Sequence, residues 1–268
     1  MGFTYAERAF AYIKKGAKEK AIADLNCDIT LSHNFVSYMR SARAYTAMGN
    51  HLKEIDEYGK ALKLEPYQYC IYIARAHSYS NISRFNDALR DCDTAISMIP
   101  KNVQRCQYAS LYAERALVYL KQNHVQQALT DCNRGIAFEP EIEAQRAKPI
   151  KKRMIGVVAS LDGIARAYRV RALILWKQGR SEDALPDLNK AVGLEPNQAY
   201  DFALRAAVFN DLGMQDKAAA DMQRAKKLDP EISMPTKGKI PIRGPAPIAI
   251  FDAKRSRHLF QLFYCPCA

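Results

Sequence analysis

Apolar and small residues recur along most of the chain at helical spacing, and they recur in register. An aromatic residue (Tyr5, Tyr38, Tyr72, Tyr112, Tyr168, Phe202) is followed four residues later by alanine (Ala9, Ala42, Ala76, Ala116, Ala172, Ala206). Three residues further stands a large side chain (Tyr12, Tyr45, Tyr79, Tyr119, Leu175, Phe209). Spacing of i, i+4, i+7 lays these positions on one face of an α-helix. A break follows, marked by Gly16, Gly49, Gly179 or Gly213, and then a second helix carrying Ala21, Ala88, Ala128, Ala184 or Ala218. Seven residues on, a small residue returns at Ala61, Ala95, Gly135, Ala191 and Ala225.

Proline closes the segments at Pro66, Pro100, Pro140, Pro196 and Pro230, at intervals of 34, 40, 56 and 34 residues. Six units result, about 2–34, 35–68, 69–102, 109–142, 165–198 and 199–232. Large residues facing small ones let two antiparallel helices approach closely and leave a socket for the next pair. A single unit cannot bury both of its faces, so stacking must supply the stability. The expected fold is all-α: an α-solenoid, or superhelix, of about six helix-turn-helix repeats. Pro186, early in a second helix, is expected to weaken a hydrogen bond rather than break the helix.

Sixteen residues separate Arg8 from Asp24, Arg75 from Asp91, Arg115 from Asp131, Arg171 from Asp187 and Arg205 from Asp221. In a helical hairpin of this length, sixteen residues return the chain to about the same level. These are expected to be structural ion pairs across each hairpin, a planar fork meeting a carboxylate. In unit 35–68 both members differ together, as Ser41 and Glu57.

The period of 34, the aromatic–alanine–tyrosine face, the turn glycine, the two small residues and the closing proline resemble the tetratricopeptide repeat family. Unit 2–34 departs most, with Asp28 in a small-residue slot and His33 in place of the proline. The resemblance implies that first helices line a concave groove holding an extended peptide or a partner helix. Carried onto this sequence, that groove takes in Phe10, Arg40, Arg43, His77, Leu117, Arg166, Arg169, Leu173, Trp176 and Asn210. Trp176 either anchors a ligand side chain beside Arg169 or packs against a neighbouring unit. Arg40, Arg43, Arg166 and Arg169 point to an acidic ligand. The family's acidic-tail readers use paired asparagines with lysines, whereas those slots here hold residues such as Arg40, Arg43, Ala74 and His77, so that particular clamp is not expected.

Charge is spread unevenly. The chain has a net charge of +12. Residues 143–164 hold five Lys/Arg against two acids and residues 231–268 six against two, so more than half of the excess lies on a connector and a tail. The domain reading is therefore repeats one to four over 1–142, a basic connector or extended helix over 143–164, repeats five and six over 165–232, and a poorly structured proline-rich basic tail over 233–268. Ile155, Val158, Leu161 and Ile164 suit an extended helix.

No histidine cluster, nucleophile elbow or phosphate loop occurs, so no catalytic residue, metal or cofactor is expected. Cys92 and Cys132 read as small buried hydrophobes. Cys265 and Cys267, near His258, give too few ligands for a metal site. Seven cysteines are an odd number, and Cys27, Cys92 and Cys132 fall on helices that hold them apart; with no apolar run long enough to span a membrane, this points to a reducing, cytoplasmic setting. The expected role is a non-enzymatic protein-interaction scaffold with a protein or peptide ligand. Rivals are a regulatory module of a larger multidomain protein, docking of the basic, aromatic tail 231–268 on an anionic membrane surface, and a helical repeat that binds nucleic acid. The last is disfavoured, since base readers keep fixed polar residues in every unit. Uncapped end units would allow self-association.

Overall fold

The structure is a computed structural model and describes residues 2–98, 108–146 and 157–237. Thirteen helices and no strand occur among these residues. They pair as antiparallel hairpins: α1 (Gly2–Lys14) with α2 (Lys18–Ser32), α3 (Phe35–Ala47) with α4 (His51–Leu64), and α5 (Tyr69–Asn81) with α6 (Phe85–Ser97). After these come α7 (Tyr108–Lys121) with α8 (Val125–Ile136), a short α9 (Glu139–Arg146), α10 (Val157–Lys177) with α11 (Ser181–Leu194), and α12 (Ala199–Asp211) with α13 (Gln215–Leu228). The chain forms two compact units, Met1–Val103 and Gln104–Ala268.

Each hairpin turns in the same way. The residue after the first helix's last turn adopts a left-handed conformation, at Gly16, Gly49, Gly179 and Gly213 with φ between 72° and 80°. Two hairpins use Ser83 and Asn123 there instead, both at φ 61°. A side chain meets a steric penalty in that region, which explains the preference for glycine. At the start of the second hairpin Asn34 and Ser37 form a reciprocal capping box, and Asn50 accepts from the Lys53 amide. Helix α11 runs unbroken through Pro186, as the sequence suggests.

The alanine positions explain the packing. Ala9, Ala42, Ala76, Ala116, Ala172 and Ala206 are all fully buried, as are Ala21, Ala61, Ala88, Ala95, Ala128, Ala184, Ala191 and Ala225, apart from Ala218 at 3% exposure. Helices meet at these points without side-chain bulk between them, and larger residues fill the sockets beside them. In the first unit Tyr58, Leu62 and Ile71 close around Ala42 and Ala61. In the second, Leu173, Ile174, Trp176, Leu188 and Leu204 form the main core. Burying a side chain of that size contributes about 1.5–3 kcal/mol each. Cys92 and Cys132 are fully buried in this packing, and burial pushes the Cys132 thiol well above its ordinary range.

Helix α9 starts within repeat four and runs into the insertion, and α10 begins eight residues ahead of repeat five. Leu161 and Ile164, among those eight, pack with Tyr168 on Ala109 and Ala191. Ile155, His258, Cys265 and Cys267 lie outside the described residues, as does the tail beyond Lys237. After α13 the chain does not leave the fold at once. Ile232 packs against the last hairpin's cluster of Phe202, Ala203 and Ala225.

Candidate peptide-binding face and the repeated ion pair

Every one of the five sixteen-residue pairs has one geometry. Nε and Nη2 of the arginine donate to the two carboxylate oxygens of the aspartate at 2.7–2.9 Å, in all of Arg8–Asp24, Arg75–Asp91, Arg115–Asp131, Arg171–Asp187 and Arg205–Asp221. The aspartates are buried, and three of the arginines lie between two aromatic rings. Arg75 lies 5.6 and 5.8 Å from Tyr72 and Tyr79, Arg115 5.6 and 5.9 Å from Tyr112 and Tyr119, and Arg205 5.6 and 5.8 Å from Phe202 and Phe209. The aromatic positions that read as purely apolar in the sequence pattern therefore double as walls for the guanidinium. The remaining Nη1 of Arg171 donates to Asn133 at 2.7 Å, and that of Arg205 to Asn189 at 3.0 Å, each on the second helix of the preceding hairpin. One side chain thus closes its own hairpin and joins it to the one before. The exception, Ser41 with Glu57, keeps the polarity by other means: Ser41 is buried and Glu57 accepts from Lys60 at 2.8 Å.

Within each compact unit first helices lie beside one another. Helix α1 touches α3, and α10 packs along α7 and touches α12. The predicted groove residues lie on these first helices. Phe10, Arg40, Arg43 and Leu117 are half-buried and Asn210 is exposed. His77, Arg166, Arg169, Leu173 and Trp176 are buried. Trp176, 2% exposed, belongs to the core, and its indole N–H donates to Asp211 at 2.8 Å. Trp176 thus packs in a cluster with Leu204, Ala207 and Val208 of the following hairpin.

The four arginines are engaged within the chain. Arg166 donates to Glu114 at 2.9 Å and to Asp162 at 3.4 Å. Arg169 holds Asp201 with both arms of its fork and Glu195 at 2.7 Å. Arg40 sits 3.0 Å from Asp28, and Arg43 lies over the Phe10 ring at 5.8 Å. The expectation of an acidic ligand drawn from Arg166 and Arg169 is thereby corrected: a cation buried at a helix–helix seam requires a carboxylate partner, and here it has one. Asp28, which departs from the small-residue pattern, is fully buried as that partner for Arg40.

The seam around Arg166 and Arg169 carries four carboxylates, Glu114, Asp162, Glu195 and Asp201. Burial and the neighbouring Asp162 push Glu195 from the usual 4.5 up to about 8, despite its contact with Arg169. Between these two values the folded chain holds a proton that the unfolded chain releases. Stability is therefore expected to fall as pH rises from about 4.5 to about 8 and then to level off. Melting temperatures across that range check this. Glu195→Gln, neutral at every pH, should flatten the slope, and an unchanged slope would place the titration elsewhere.

Among the described residues no group of three His, Cys, Asp or Glu side chains could hold a metal ion. No helix among them is long and apolar enough to cross a membrane. Cys27, Cys70, Cys92 and Cys132 are free thiols.

Hairpins in series, tied together within each unit through small-residue seams, define a helical-repeat protein. The sequence model of the tetratricopeptide repeat matches residues 36–68 and 165–198, and the chain carries tetratricopeptide repeats. Curated relatives include the tetratricopeptide repeat and J domain-containing co-chaperone DNJ1 of Cryptococcus neoformans, 23% identical over 72% of this chain and 34% of its own length. Another is Hsp70-Hsp90 organizing protein 1 of Glycine max, 22% identical over 67% of this chain and 33% of that protein. The chain thus spans about a third of these relatives. Among solved structures, the thermophilic TPR protein TTC0263 of Thermus thermophilus superposes with a TM-score of 0.56 at 18% identity, covering 74% of this chain and 92% of that one.

Proposed function

We propose that this chain is a non-enzymatic protein-interaction scaffold that holds a peptide or a partner helix against its first helices. The observation that carries the reading is the first-helix face of each unit. Arg40, Arg166 and Arg169 are paired with carboxylates within the fold, while Phe10 and, in the second unit, Leu117 are half-buried on it and Asn210 is exposed. A surface already rigid when the ligand arrives loses little freedom on binding, which favours recognition of a segment that orders as it docks. Kinship in sequence to DNJ1 and to an Hsp70-Hsp90 organizing protein is in keeping with an adaptor role. An acidic tail is not the ligand this reading favours, because Arg40, Arg166 and Arg169, which would meet it, already hold carboxylates of the chain. A cytoplasmic setting agrees with the free thiols.

Panning a random dodecapeptide library against the immobilised full chain tests the reading. Enrichment of peptides that bind with dissociation constants of about 1–100 μM, or roughly −8 to −5.5 kcal/mol, is expected. Failure to enrich any sequence, with single-stranded RNA bound instead and with a steep salt dependence, would replace it with the nucleic-acid reading.

A further inference from the structure

The chain beyond α13 turns back along α12, the last of the first helices. Asp229 ends α13, its carboxylate accepting from the Glu231 amide at 3.1 Å and its carbonyl from Ile232 at 3.1 Å. Ile232 then packs with the Phe202 and Ala203 cluster, near the start of α12. Lys237, five residues later, reaches Asp211 at the other end of the same helix, with Nζ 2.5 Å from Oδ2. The nine helical steps from Phe202 to Asp211 span about 13.5 Å. Five residues reach at most about 17–18 Å. Five residues are thus enough to cover the distance, and residues 232–236 have no regular secondary structure.

What Lys237 meets is a built receptor for a cation. Its Nζ lies 5.7 Å from the centroid of the Trp176 ring, the π-face that attracts positive charge. Asp211 is held in place by the Trp176 indole N–H at 2.8 Å and by the Ser181 hydroxyl, and these contacts with Lys237 outweigh its burial and keep its carboxyl below the usual range. An open cleft of about 440 Å³ continues from this corner along Gly179, Glu182, Asp183 and Leu212. Arg180, the other cation there, is paired with Asp183 at 2.7 Å.

We propose that the Trp176–Asp211 corner is the receptor for the lysine side chain of an extended peptide, and that Lys237 fills it in cis, so the chain's own segment 229–237 competes with the ligand. The proposal rests on the scaffold reading above and deepens it. It makes the ligand basic rather than acidic at this corner, because the charge presented there to an incoming side chain is a carboxylate. It also makes the segment regulatory: whatever draws Lys237 away opens the site. The pair is partly solvent-exposed, with Lys237 at 44% and Asp211 at 29%. Salt should therefore weaken it, since exposed charges are screened over about 10 Å at 0.1 M ionic strength.

The test uses the full chain and a fluorescein-labelled peptide with the sequence of residues 229–237, DPEISMPTK, amidated. Lys237→Ala is expected to bind this peptide about tenfold more tightly than wild type, as for a site whose open fraction rises from about a tenth to nearly one. The gain should disappear when the peptide's lysine is replaced by norleucine, a change that leaves the protein untouched, and should shrink as salt is raised. Trp176 is the only tryptophan, so its single indole N–H resonance should move in Lys237→Ala and return when peptide is added. Equal binding by wild type and Lys237→Ala would overturn the proposal. So would a lowered melting temperature of Lys237→Ala with no peptide bound, which would make Lys237 a structural latch only. If panned peptides still dock on the first helices in that case, the receptor corner alone is lost and the scaffold reading stands.

Discussion

Replacing Arg115 by methionine is expected to destabilise the second compact unit by about 3–5 kcal/mol, the range for leaving one partner of a buried ion pair uncompensated. Arg115 and Asp131 are the most enclosed of the repeated pairs, with side chains 13% and 3% exposed. Without the guanidinium, the Asp131 carboxylate keeps no cation inside its hairpin except Arg134 at 3.5 Å, itself largely exposed. The double change Arg115→Met with Asp131→Leu removes both charges and should recover a large part of the loss, because replacing a buried pair with apolar groups of similar size is often nearly neutral. Arg8→Met makes the contrast. Arg8 is 56% exposed beside Asp24, and exposed pairs contribute about 0–1 kcal/mol. Urea unfolding followed by Trp176 fluorescence for the Arg115 variants, and by circular dichroism for Arg8→Met, checks the series. Equal losses in the single and double Arg115 variants would mean that the two charges do not act together.

Gly163→Ala is expected to cost about 2–3 kcal/mol, against a gain of roughly 1 kcal/mol if only helix propensity mattered. A Cβ at Gly163 would lie 2.4 Å from the Ser110 amide nitrogen, 2.8 Å from the Ser110 Cα and 2.9 Å from the Ala109 carbonyl carbon. Those atoms are backbone of α7 and cannot swing aside, so α10 would have to move off α7. Displacing it also disturbs Arg166 and Glu114, which meet across the same seam. Urea unfolding of the full chain decides between the two signs, and a stabilised Gly163→Ala would show that the helices do not approach as closely as described.

The features legible in the sequence are those that repeat or act within one hairpin. The alanine and aromatic positions follow a period, so a single chain displays them six times. The arginine–aspartate pairs are legible because sixteen residues is a fixed distance across a hairpin turn. What bridges hairpins is not periodic. Glu114 lies 52 residues before Arg166 and Asp201 32 residues after Arg169, and neither separation recurs. The arginines therefore read as free groove cations when they are in fact seam ion pairs. A signal was present: a cation on a face that also carries Leu173 and Trp176 is at risk of burial and needs an acid. Gly163, within a connector that reads as basic and apolar, carried no cue that a second helix's backbone lies against it. Lys237 sits in a segment whose composition suggests a tail, and only its arrival at Asp211 shows otherwise.

Recognition by the first helices is the claim on which the proposed function rests. Amide chemical-shift mapping of a panned peptide titrated into the isotopically labelled full chain tests it most directly. Perturbations are expected at first-helix positions such as Phe10, Arg43, Leu117 and Asn210, with the Trp176 indole responding when the peptide carries lysine. Perturbations confined to the second helices α2, α4, α6, α8, α11 and α13 would contradict it.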